Sequence, residues 1–170
     1  GSHQIQGSAS AASSGLVYPP DLAPEIARLH EAVDRDIVPA SLGRFFSSGR
    51  VGGAPVRLEQ QKLDTFLGIV RTTEIYRRLA PVLLKRFDPD IAAIYFEGTD
   101  AAGHLFGEYA PPPLPWVTAE EARTLGDAFD RYYMYIDEVV GELVSQLDRT
   151  RTTLMIVSDH GFKTGARRPR

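Results

Sequence analysis

The chain has 170 residues, 43% of them hydrophobic and 24% charged, with a formal net charge of −3 and no cysteine. That is long enough for one domain with a core and ordinary for a globular protein. It carries no basic footprint of the kind a nucleic-acid polymer demands, and any metal must be held by His, carboxylates or water rather than thiolate.

Gly1-Ser2-His3 reads as a scar left by tag removal, and residues 4–15, rich in Ser, Ala and Gly without periodicity, read as a flexible lead-in. One α/β domain is expected over residues 16–170. Pro19-Pro20-Asp21 gives a stop and a cap, and a first helix is predicted from Leu22 to Val38 with Ile26, Leu29, Val33 and Ile37 on one face. Pro39 ends it. Residues 47–55 form a loop; Gly49–Gly53 within it is not a phosphate loop, because no Gly-Lys-Ser/Thr follows.

A second helical stretch covers Leu58 to Phe87, with Leu63, Phe66, Leu67 and Val70 sharing a face, and Ile75, Leu79, Val82 and Leu83 another. Pro81 inside it removes an amide donor and predicts a kink or break. After the turn Asp88-Pro89-Asp90, the continuous apolar run Ile91–Phe96 predicts a strand buried on both faces of a parallel sheet. The segment Glu97–His104 is then read as a loop, and Pro111–Pro115 as stiff and extended. Thr118 with Glu121 makes a capping box. It opens a third helix whose apolar residues, from Ala122 through Leu125, Phe129, Tyr132, Ile136, Val140 and Leu143 to Leu147, recur at spacings of three and four. Core packing and helix-surface contact account for Tyr132–Tyr135 better than a base-stacking platform does, and Asp137 and Glu138 read as its solvated face, or one of them as a cap on a neighbour. Thr152–Val157 predicts a second buried strand, left by the loop Ser158–Gly161. Arg167–Arg170 is a basic cluster read as a solvated end.

Strand, crossover helix and strand compose a right-handed βαβ unit. The expected fold class is therefore α/β: a mostly parallel sheet with flanking helices. In such a unit both strands end on one sheet edge, where ligands bind. Asp100 and His104 would leave one strand there, and Asp159 and His160 the other. Imidazole nitrogen and carboxylate oxygen are standard ligands of a divalent ion, so these four residues are the candidate metal ligands. A lone Asp-His after a strand is more often a capped turn, and a lone Asp-x-x-x-His is equally unremarkable; the joint occurrence carries the reading. Of the other histidines, His3 belongs to the scar and His30 reads as a helix-surface or packing residue.

The stretch Phe87–His104, with Tyr135-Ile136-Asp137 and Ile156–Phe162, resembles the alkaline phosphatase superfamily, and within it the type I phosphodiesterase/nucleotide pyrophosphatase branch. The Asp-x-x-x-His motif joined to Ser-Asp-His-Gly is fairly specific, although Ser-Asp-His-Gly is shared with cofactor-independent phosphoglycerate mutases. The resemblance implies an alkaline-phosphatase-like fold, incomplete here, and a hydrolase using two divalent ions, zinc above all. Asp100 and His104 would bind the ion facing the leaving group, and Asp159 and His160 the ion that activates the nucleophile. The family's early metal-binding Asp, its nucleophilic Thr or Ser and its last His ligand have no match in this sequence. The chain is thus expected to be a fragment of a larger catalytic domain, inactive by itself. The implied substrate is a small-molecule phosphodiester or nucleotide. A phosphomutase, phosphomonoesterase or sulfatase of the same superfamily, or a non-catalytic metal-binding or interaction domain, stands as the alternative. No secretory signal is visible and no apolar run can span a bilayer. The compartment and oligomeric state are left open, the resemblance being compatible with a periplasmic or extracytoplasmic site.

Overall fold

A computed structural model describes residues 17–47 and 60–163. The expected scar and lead-in, most of the 47–55 loop with Gly49–Gly53, and the basic cluster Arg167–Arg170 lie outside those residues. The described residues form five α-helices: α1 (Ala23–Asp36), α2 (Gln60–Phe87), α3 (Gly98–Phe106), α4 (Ala119–Leu125) and α5 (Ala128–Ser145). Short 3-10 turns stand at Pro20–Leu22 and Pro39–Phe45. No helix among them is long and apolar enough to cross a membrane.

The apolar faces read from the spacing are the faces that pack. Val33 of α1, Phe66 and Val70 of α2, and Leu125, Tyr132 and Leu143 of α4 and α5 are buried. Leu63, Leu67, Phe129 and Ile136 pack against them. Aromatic rings fill the centre, with Phe66 edge-on to Phe45 at 5.0 Å and to Phe106 at 4.8 Å between centroids, a geometry that adds to the area buried. Tyr132 and Tyr135 point inward while Tyr133 and Met134 stay exposed, which accounts for the aromatic run. Val82 is also exposed, so the second apolar face of α2 is only partly used.

α2 continues through Pro81 for 28 residues without a break. The turn beyond the proline is held from outside the helix: Arg86 reaches Asp21 at 3.2 Å and Glu25 at 3.1 Å. The single third helix, by contrast, is two. α4 opens on the expected capping box, Thr118 N donating to Glu121 Oε2 at 2.8 Å and Glu121 N to Thr118 Oγ1 at 3.2 Å. It stops at Gly126, where a side chain would meet the Ala122 carbonyl at 2.3 Å and the Tyr109 carbonyl at 3.2 Å. Asp127 then starts α5, its carboxylate accepting from Ser47 at 2.7 Å and Arg131 at 2.6 Å.

The expected α/β fold is corrected: among the described residues there is no strand and no sheet. Ile91–Phe96 and Thr152–Val157 have no regular secondary structure, and Ile91 (88%) and Val157 (82%) lie open to solvent. A run of apolar residues signals that something covers both faces without saying what does. A strand also needs hydrogen-bonding neighbours, and the described residues supply none. The βαβ unit and its handedness fall with the sheet.

One buried charge organises the helical pack. Glu74 of α2 is only 7% exposed. Its carboxylate accepts from the Tyr135 hydroxyl at 2.6 Å and from Arg77 at 2.9 Å, with Arg78 at 3.4 Å. Burial, and then Glu74 itself, push the Tyr135 hydroxyl far above its usual range, so it stays protonated and donates.

Candidate metal centre

Asp100 and His104 do not sit in a loop. They lie one turn apart on α3, whose other face buries Ala102 and Phe106 completely. Residues at i and i+4 share a helix face, so the backbone itself holds both side chains on the outer side. The start of α3 is fixed from within. A side chain at Gly98 would run into the Tyr132 hydroxyl, which shares a 2.7 Å hydrogen bond with Thr73 of α2 and is pushed up to about 12 by burial.

Asp159 and His160 lie on an exposed segment closed by local hydrogen bonds. Ser158 Oγ donates to the His160 carbonyl at 2.5 Å, and His160 N donates to Asp159 Oδ1 at 3.1 Å. His160 Nδ1 stands 3.0 Å from the Gly161 carbonyl. A carbonyl can only accept, so Nδ1 carries the proton there and Nε2 of the neutral ring is left as a bare acceptor. The same Gly161 bond, helped by Asp159 and Asp100, raises the imidazole above its usual value.

The two pairs meet at Asp100. Its Oδ2 is 3.5 Å from His104 Nε2, and its Oδ1 is 4.0 Å from His160 Nε2. His160 Nε2 is also 3.7 Å from Asp159 Oδ2. The four residues that the sequence groups thus lie near one another, although a helix and a docked segment bring them together where a sheet edge was expected to. Asp100 Oδ1 is shut off from solvent and has no hydrogen-bond partner. A buried carboxylate oxygen without a donor is costly, and a cation is one way to satisfy it. Among the described residues no three His or carboxylate side chains stand close enough to enclose an ion. The donor types suit a divalent metal, and they stand as linked pairs. His30 lies half-buried on α1.

Sequence reading missed what docks the second pair. Phe162 packs edge-on against the His104 ring, 5.2 Å between centroids, and against Phe129 at 5.6 Å. It also lies over Gly103, where an added Cβ would be 2.7 Å from its ring. The available signal was Gly103 itself, since glycine inside a helix is unfavourable unless something packs close.

A family model described as Type I phosphodiesterase / nucleotide pyrophosphatase matches residues 18–168. No curated protein and no solved structure matches the chain.

Proposed function

From the premise that the chain belongs to the type I phosphodiesterase/nucleotide pyrophosphatase family, a family of hydrolases, we propose that Asp100, His104, Asp159 and His160 are the divalent-metal ligands of a phosphoric ester hydrolase. The observation that carries this is Asp100, with one carboxylate oxygen toward each imidazole. Direct hydrogen bonds between such groups are shorter, about 2.7–3.0 Å. Two ligands of a tetrahedral zinc with bonds of about 2.0–2.1 Å stand roughly 3.4 Å apart. The separations of 3.5, 3.7 and 4.0 Å are nearer the second distance.

Each residue's part follows from its setting. α3 fixes Asp100 and His104 on one face, and the Gly161 bond orients His160 as the orienting partners of metal-bound histidines do. Asp159, 81% exposed, adds a second carboxylate. A bound divalent ion would stabilise charge on phosphoryl oxygens and lower the pKa of an attacking hydroxyl. The four residues supply no nucleophile. Thr73 is buried against Tyr132, and the Ser158 hydroxyl is tied to the His160 carbonyl. The substrate class that fits the family is a small phosphodiester or nucleotide pyrophosphate, attacked by a Thr or Ser outside this group.

Calorimetric titration of the 170-residue chain with zinc tests this. Binding in the wild type and its loss in Asp100→Ala is the expected result, with no hydrolysis of bis(p-nitrophenyl) phosphate. A wild type that takes up no zinc, or an Asp100→Ala variant that binds equally well, would sink the ligand assignment. Zinc-dependent turnover by the pure chain would show that a nucleophile is present after all.

A further inference from the structure

We propose that Phe162 is the positioning residue that joins the two halves of this site, with Gly103 as its socket. The inference rests on the metal reading above for its consequence, and on packing for its substance. From Arg151 to Lys163 every residue is exposed except Phe162, which is half-buried. Nothing else in that stretch is buried against the helices, so the placement of Asp159 and His160 depends on this one ring. The ring docks at a point that matters. It meets His104, itself one of the four, at 5.2 Å and 77° between ring planes, and Phe129 of α5 at 5.6 Å. Its atoms occupy the space a Cβ on Gly103 would need, at 2.7, 2.8 and 3.0 Å. Gly103 lies between Asp100 and His104 on α3. The socket is thus cut into the helix that carries the first pair, and filling it brings His160 to 4.0 Å from Asp100.

The phenyl ring of Phe162 carries no donor atom for an ion. It acts by holding Asp159 and His160 against α3, so that an ion would meet ligands already assembled. Loss of a group that orients metal ligands typically lowers affinity by about 10–100-fold.

Two substitutions separate this role from plain stability. Phe162→Ala removes the ring. Gly103→Ala leaves the ring and closes its socket, while alanine favours the α3 helix over glycine. Zinc affinity is measured by competition with a chromophoric chelator, and helix content and thermal midpoint by circular dichroism. Both variants are expected to bind zinc at least about tenfold more weakly than wild type, with helix content unchanged. The midpoint of Gly103→Ala should not fall. Phe162→Leu, which keeps an apolar plug, should recover most of the affinity. Wild-type affinity in both Phe162→Ala and Gly103→Ala would overturn the proposal. If the wild type binds no zinc, the metal reading fails by itself and the docking is read from the metal-free chain. The His104 ring-proton resonances should then move in Phe162→Ala, where the aromatic neighbour is lost, and unchanged resonances would overturn the clamp.

Discussion

The two halves of the candidate site are built on different principles. Asp100 and His104 stand on a helix whose inner face is sealed into an aromatic core, with Ala102 and Phe106 fully buried. Asp159 and His160 stand on a segment that is open to solvent and meets the helices through Phe162. One pair is placed by the fold as a whole; the other is placed by a single contact. Matching chemistry on unequal supports means that the first pair should survive most local damage, while the second should be lost to one substitution.

The sharpest test of that contrast is truncation in each half. Phe106→Ala empties a fully buried position beneath α3 and is expected to cost about 3–5 kcal/mol, read from urea unfolding. A loss under about 1 kcal/mol would mean that α3 is not locked to the core. Next in size is Tyr135→Phe, which takes a hydroxyl donor from the buried Glu74 carboxylate. Stability should drop by about 2 kcal/mol, and a neutral result would show that Arg77 and Arg78 satisfy the carboxylate without the hydroxyl. Smallest is Ile156→Ala on the exposed segment, 80% open to solvent, where a change within about 0.5 kcal/mol is expected. A cost comparable to that of Phe106→Ala would erase the distinction between the halves.

Much of the helical half was legible in the sequence because its signals are local. The Thr118–Glu121 box was read from spacing and forms as read. Phe66, Val70 and Tyr132 were assigned to packing faces and are buried. Where neighbours distant in the chain decide, the reading failed. The apolar period crosses Gly126 without interruption, yet α4 ends there, where the Ala122 and Tyr109 carbonyls leave no room for a side chain. Pro81 predicts a break from its own chemistry, yet α2 continues through it to Phe87. The runs Ile91–Phe96 and Thr152–Val157 look like buried strands because composition reports the need for cover and not its source. The four candidate residues were grouped through that wrong sheet, and they still lie near one another, since proximity depends only on the ends of the two segments meeting.

Glu74 has a consequence beyond the strength of its own bonds. It sits at one height along α2, and its donors come from that helix and from Tyr135 on α5. The hydrophobic contacts between the two helices are forgiving, because an apolar ridge slid by one turn still meets an apolar groove. The carboxylate is not forgiving. A slide of about 5.4 Å, one helical turn, would carry the Tyr135 hydroxyl out of reach and leave a buried charge short of a donor, which costs far more than a displaced methyl group. With the buried Thr73–Tyr132 hydrogen bond beside it, this acidic residue disfavours alignments of α5 on α2 that grease alone would accept.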